Sequence, residues 1–284
     1  MRGLIAFLKL ARLENAVLPA FAVAAGFTIS QASNYKKLAL TIIVLALSHT
    51  VVTIWNDIAD EAGDAHNGIT RIADLRKSGV YNALRLLLGI SLIIIIVALV
   101  FLPLTTKFLA IFGLLLGWVY NERPFQTSHR PALSIVALGL AYGAVPFLLG
   151  ASLGNISWAV ICMAIGWTIG RSSLSLLKDY KDAKGDVAAK KRTFLLVYGG
   201  TPTAKLSLGL AILGFLICTI VATTSLHHAF TAIIILGGTA AWLLYLRTQL
   251  FRTKQYHTLN QIFHNCLKYQ LIFDGLIIVC LRTL

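Results

Sequence analysis

Two short stretches of this chain place carboxylates at one repeated spacing. Asp57, Asp60 and Asp64 form the first, with Gly63 before the last of them. Asp179, Asp182 and Asp186 form the second, with Gly185 in the same place. The shared pattern is DxxDxxGD, at an offset of 122 residues. The chain has 11 acidic residues, so more than half of them sit in these two clusters. On a helix, positions i, i+3 and i+7 share one face. Three carboxylates stacked there repel unless a cation is bound. Hard divalent ions take carboxylate oxygens, and magnesium leaves most of its shell to water and substrate phosphates. Two such clusters facing each other would hold a diphosphate between Mg2+ ions. One DxxD is more simply a helix cap or a solvated loop start. Two copies with the same glycine, at equivalent places in the chain, outweigh that reading.

The expected metal ligands are therefore Asp57, Asp60, Asp64, Asp179, Asp182 and Asp186. Asp60, Asp182 and Asn56 form the expected catalytic set. A diphosphate also needs cationic donors beyond the metals. Lys178 and Arg192 flank the second cluster, and Arg71 and Arg76 follow the first. The other cations nearby, Lys77, Lys181, Lys184, Lys190 and Lys191, read as charge that sets topology.

The elements that must position these residues are apolar. The chain has 284 residues, 57% hydrophobic and 13% charged, with a mean hydropathy of +0.79. That balance excludes an ordinary soluble domain. Nine apolar runs approach or reach bilayer-spanning length, near 15–31, 38–56, 82–102, 107–121, 132–152, 156–177, 204–224, 228–247 and 265–283. The backbone must satisfy itself in lipid, and the runs lack the strict alternation of a barrel, so they read as helices. No cleavable signal peptide is expected, because charges interrupt the first apolar run.

The net charge of +14 is explained by topology rather than by a nucleic-acid partner. With nine spans, 21 of the 25 Lys and Arg residues fall on one side. This bias places the N-terminus and both acidic motifs in the cytoplasm, and the expected setting is a bacterial inner membrane. The four cysteines have no metal-binding spacing and read as small buried hydrophobes. The fold class expected is an all-α polytopic membrane protein: nine transmembrane helices around a central cavity, in one domain over 1–284 built of two pseudo-repeated halves. Two loop segments are expected to carry the motifs at 56–64 and 178–186.

Ionisable residues inside spans are costly and invite a functional reading. Arg171 lies 11 residues before Asp182 and shares its helical face, so it would point into the same cavity or form a packing ion pair. His49 would line a pocket or sit as a satisfied core histidine. Asp274 would pair internally or touch a substrate. Trp55, Tyr120, Tyr142 and Trp167 read as simple packing or as cavity walls.

The segment from Asn56 to Asp64 resembles the NDxxDxxxD signature of the UbiA superfamily of intramembrane prenyltransferases. The segment from Lys178 to Asp186 resembles the second signature of that superfamily in its KDxxDxxGD form. Arg192-Thr193 and Arg12-x-x-Asn15 are similar to two weaker features of the family. The stretch 71–79 lacks prolines that many members carry. Leu174-Ser175 stands where the archaeal lipid-forming branch commonly has Arg-Glu. The resemblance covers essentially the whole chain. It implies an allylic prenyl diphosphate donor, Mg2+, membrane lipid around the protein, and transfer of the prenyl group to a lipophilic or amphipathic acceptor; an aromatic ring is the leading acceptor, with glycerol-phosphate lipids and a sugar phosphate also open. It also implies that aromatic cavity walls would face a carbocation. It adds Asn15 to the diphosphate-binding set. A membrane terpene cyclase of the same superfamily is the alternative. A cation transporter is less well matched, because coupling acids usually lie at mid-membrane in broken helices.

Overall fold

Apolar runs in lipid have no water to satisfy backbone groups, and the chain answers with helices throughout. The computed structural model describes residues 7–8, 10–66, 68–225, 229–253 and 256–282, and all regular structure among them is helical. The helices are α1 (Leu13–Ile29), α2 (Tyr35–Ala59), α3 (Glu61–His66), α4 (Arg71–Lys77), α5 (Tyr81–Val100), α6 (Leu104–Asn121), α7 (Pro131–Gly139), α8 (Val145–Ala151), α9 (Trp158–Ala188), α10 (Phe194–Tyr198), α11 (Gly200–Thr224), α12 (Ala229–Thr248) and α13 (Tyr256–Arg282). A π-helical turn, Leu140–Ala144, joins α7 to α8. Pro146 lies just beyond it; a proline lacks the N–H and crowds the preceding carbonyl, and the wider turn accommodates both.

Among the described residues, eight helices are long and apolar enough to cross a membrane, counting α7 to α8 as one; the shorter apolar helix Ala16–Ile29 corresponds to the ninth expected span. The outward faces carry large apolar side chains. On α5, Ile93, Ile96, Val97 and Val100 are exposed while Ser91, Ile95 and Ala98 are buried. This inverts the amphipathicity of a soluble helix and fits a lipid surround.

Two hydrophobic clusters divide the bundle. One is built from α9, α11, α12 and α13, with Trp167, Phe215, Leu236 and Phe273 at its heart. The other is built from α2, α5 and α6, with Val44, Ile95, Leu99 and Ala110. Helices α1 and α8 belong to both: Ala22, Ala25 and Phe147 face the first, Val23 and Leu149 the second. Their contact is backbone on backbone. A Cβ on Gly26 would lie 1.9 Å from the Phe147 carbonyl oxygen, and one on Gly150 would lie 1.9 Å from that of Val23. Only glycine fits there, as small residues let membrane helices approach closely. Helices α9 and α11 are tied by reciprocal bonds: Ser173 Oγ donates to the Ser207 carbonyl (2.6 Å) and Ser207 Oγ to that of Ser173 (2.9 Å).

The expectation that both motifs lie on loop segments is corrected. Helix α9 runs 31 residues and carries the whole second motif on one rod. The first motif lies on the end of α2 and on α3. The small cluster Leu10, Ile54, Ile72 and Leu84 anchors α4 beneath it. The four cysteines are free.

Candidate active site

Three segments build the first motif. Asp57 occupies the last turn of α2 and is buried. Arg12, in left-handed backbone (φ 43°) just before α1, reaches it with Nη2 at 2.6 Å from Oδ1 and 2.9 Å from Oδ2. Arg71, at the start of α4, brings Nη1 to 3.7 Å from Oδ2. Asp60 caps α2, and its Oδ2 accepts a hydrogen bond from Asn56 Nδ2 at 3.1 Å. Asn56 Nδ2 also donates to Asn121 Oδ1 at 2.7 Å, and Asn121 Nδ2 donates to the Gly117 carbonyl at 2.9 Å. The end of α6 thereby aims Asn56 at Asp60. Asp64 follows on α3.

The second motif needs no such scaffold, because α9 continues through it. Lys178, one residue before Asp179, donates to the Tyr120 hydroxyl at 3.4 Å and sits 5.7 Å from the centre of its ring. Tyr142, on the π turn, stacks edge-on with His49 at 5.9 Å.

The two motifs meet at their glycines. A Cβ on Gly63 would lie 3.1 Å from the Ala189 Cβ and 3.5 Å from the Gly185 carbonyl oxygen. The glycine shared by both patterns thus lets α3 lie against the end of α9. Above this contact, Lys191 Nζ lies 2.8 Å from Asp60 Oδ2 and 3.5 Å from Asp186 Oδ1. One ammonium therefore touches a carboxylate of each motif. Burial opposes its charge, but Asp60 and then Asp186 more than offset that, so its pKa is raised.

A cavity of about 230 Å3 opens beside the first motif, lined by Asp57, Asp64, Glu61, Thr70 and Arg71 among others. Burial, then the charges of Asp57 and Asp60, push the Asp64 carboxyl up to about 6. Among the described residues no three acidic, histidine or cysteine side chains converge on one point. The donor chemistry nevertheless fits magnesium, which needs few protein oxygens and takes the rest from water and phosphate. Asp57, Asp60 and Asp64 offer such oxygens on one side of the glycine contact, and Asp179, Asp182 and Asp186 on the other.

The remaining expected residues scatter. Arg76 pairs with Glu61 (3.2 Å) and stacks on Tyr81 (4.1 Å). Arg192 is exposed, and its neighbour Lys191 reaches the carboxylates. The Asn15 side chain lies outside the described residues. Trp55 Nε1 donates to Glu122 at 2.7 Å. Arg171 does not reach the motifs: it makes a buried ion pair with Asp274, which also accepts from Gln270 Nε2 at 3.2 Å. That pair locks α9 to α13 and answers both open readings in favour of packing. Sequence reasoning read Lys191 only as topology-setting charge, met Arg12 only in a weak family feature, and passed over Asn121. Asn121 had one usable signal, a polar residue ending an apolar run as Asn56 does.

The model of the UbiA prenyltransferase family matches residues 16–272. Over 102 residues the chain is 28% identical to the chloroplastic chlorophyll synthase of Arabidopsis thaliana, a stretch covering 36% of this chain and 26% of that protein. The fold is similar to the structure of a digeranylgeranylglyceryl phosphate synthase, with a TM-score of 0.73, 17% identity and full coverage of both chains. It is also similar to a UbiA homolog from Archaeoglobus fulgidus bound to GPP and Mg2+, with a TM-score of 0.69, 15% identity, and coverage of 96% of this chain and 99% of that one. A UbiA homolog from Aeropyrum pernix K1 gives a TM-score of 0.71 at 15% identity, over 94% and 98% of the two chains.

Proposed function

The chain belongs to the UbiA prenyltransferase family, and on that premise we propose that it is a Mg2+-dependent intramembrane enzyme moving a prenyl group from an allylic prenyl diphosphate to a lipophilic, aromatic acceptor. The observation that carries this reading is the meeting of two identical acidic motifs through Gly63 and Gly185 at one end of an apolar bundle. In the proposal, Asp57, Asp60 and Asp64 hold one Mg2+ and Asp179, Asp182 and Asp186 another. Bound Mg2+ supplies positive charge where the leaving diphosphate gains negative charge.

The chain's own residues prepare that step. Arg12 and Arg71 fix the Asp57 carboxylate and partly neutralise it. Asn121 and Asn56 orient Asp60. Lys178, steadied by the Tyr120 hydroxyl, and Arg71 at the cavity wall are the proposed diphosphate donors. Arg192 and Asn15 are further proposed donors; Arg76, engaged by Glu61, ranks behind them. The apolar helices keep water from the allylic cation, and an activated aromatic ring needs little beyond positioning to attack it. The matched motifs support reading 1–284 as two pseudo-repeated halves. The charge bias supports placing the motif end in the cytoplasm, and the expected setting is a bacterial inner membrane.

Purified protein incubated with labelled geranyl, farnesyl and geranylgeranyl diphosphates tests the proposal, with Mg2+ or EDTA and with or without aromatic acceptors. Mg2+-dependent adducts seen by mass spectrometry are expected. Cyclic products formed without acceptor would replace the transferase with a cyclase. Absence of diphosphate release under every condition would remove the donor assignment.

A further inference from the structure

The backbone is arranged to deliver Lys191 to the junction of the motifs. Helix α9 ends at Ala188 with Ala189 as its C-cap, and Lys190 takes a φ of 54°, a left-handed conformation that glycine usually supplies at a helix end. The chain then folds back, and the Lys191 backbone N–H donates to the Asp186 carbonyl at 2.9 Å. Its side chain, 12% exposed, crosses to Asp60 on the other motif. Asp60 Oδ2 thus accepts from both Lys191 and Asn56, which uses the lone pairs of that oxygen. A divalent ion seeking Asp60 Oδ2 or Asp186 Oδ1 meets an ammonium already in contact with both. Two cations sharing those oxygens at such separations repel strongly in a partly buried site.

We propose that Lys191 is an exchangeable cation built into this junction. It holds Asp60 to Asp186 until a divalent ion takes those oxygens, and it withdraws when the ion binds. The two acidic motifs would then be kept in register before loading by the protein's own charge. The inference rests on the metal assignment proposed above and adds to it a residue that competes with the metal.

The test uses the full-length protein in detergent as wild type, K191M, K191Q and K191R. Mn2+ binding is titrated by electron paramagnetic resonance, and melting is followed in EDTA and at saturating Mn2+. K191M should bind Mn2+ on the order of tenfold more tightly than wild type, since a competing charge is gone. In EDTA it should melt roughly 2–4 °C lower, and saturating Mn2+ should close that gap. K191R should restore the EDTA melting point. If K191M does not fold, K191Q decides by the same readings. Unchanged or weaker Mn2+ binding in the neutral variants overturns the proposal, as does a melting gap that persists at saturating Mn2+. Either would make Lys191 a fixed tether. Wild-type protein that binds no Mn2+ would overturn the metal assignment itself, a result distinct from wild type and K191M binding alike.

Discussion

In the first acidic motif the backbone breaks inside the pattern: Asp57 lies in α2, Asp60 caps it, and Asp64 starts again on α3. In the second, one helix carries Asp179, Asp182 and Asp186 without interruption. The first motif is braced from outside, by Arg12, Arg71 and, through Asn56, by Asn121, whereas the second is braced by its own helix. Equal spacing in sequence has produced two different local structures. What they share is the glycine; the bare Cα of Gly63 lets the motifs touch, at Ala189 and at the Gly185 carbonyl. The repeat thus encodes a meeting point as well as the proposed metal ligands.

If the two halves are equivalent in chemistry despite this difference, removing one carboxylate from either should be equally severe. Asp60→Asn and Asp182→Asn should each lower turnover by roughly 10²–10³-fold or more; Asp182→Asn should melt near wild type, and Asp60→Asn, which weakens the Lys191 pair, slightly lower in EDTA. Labelled-donor turnover and melting in detergent measure both. Near-wild-type activity in one variant alone would show that a single motif carries the reaction.

The glycine contact can be broken directly. Gly63→Val should push α3 off Ala189 and Gly185, lowering turnover by roughly tenfold or more and weakening Mn2+ binding. Gly63→Ala, whose Cβ meets Ala189 at 3.1 Å, should act in the same direction but less. Wild-type behaviour in Gly63→Val would mean that the approach of the motifs is incidental.

The first motif should also respond to pH. Asp64 titrates near 6 through burial and the charges of Asp57 and Asp60. A ligand carboxylate must be deprotonated, so apparent Mg2+ affinity should fall as pH drops through about 6. Asp64→Asn should remove the part of that dependence that Asp64 carries. The sign for stability is opposite. A carboxyl raised on folding from 3.8 to about 6 adds stability at low pH that is lost as pH rises across that interval. Melting in EDTA from pH 4 to 7 follows this contribution, and Asp64→Asn again serves as the reference.

The smallest effect concerns the turn that ends the second motif. Lys190→Gly should relieve the left-handed backbone, stabilising the protein by roughly 0.5–1 kcal/mol and leaving turnover unchanged. A loss of stability would mean that the Lys190 side chain holds the turn by contacts of its own.

Much of this was legible in sequence. The apolar runs gave the helices because lipid permits little else, and the six aspartates stood out because acids are so scarce here. The break at Asp60 was hidden, since helical periodicity assumes the rod continues. Lys191 was hidden for the same reason. After Ala189 and a left-handed Lys190, its direction depends on the turn and not on 3.6-residue spacing. Arg171 on the face of Asp182 suggested a shared cavity, but about three turns along a helix the neighbours are different. There it meets α13, and only the pairing of two isolated charges in otherwise apolar spans hinted at Asp274. Arg12 reaches Asp57 across 45 residues of chain, a distance no local pattern encodes.

The π turn between α7 and α8 carries one more consequence. A π turn is a helix holding one residue more than its length requires, so the helical phase shifts where it occurs. Side chains before Leu140 and after Ala144 therefore keep separate phase counts, and a pattern carried across the turn at a constant 3.6 residues would assign the wrong faces beyond it. When related chains are set side by side, a single-residue gap at this point would be the trace of a helix that lost its extra residue. The orientation of Tyr142 relative to the rest of its span would be expected to change with it.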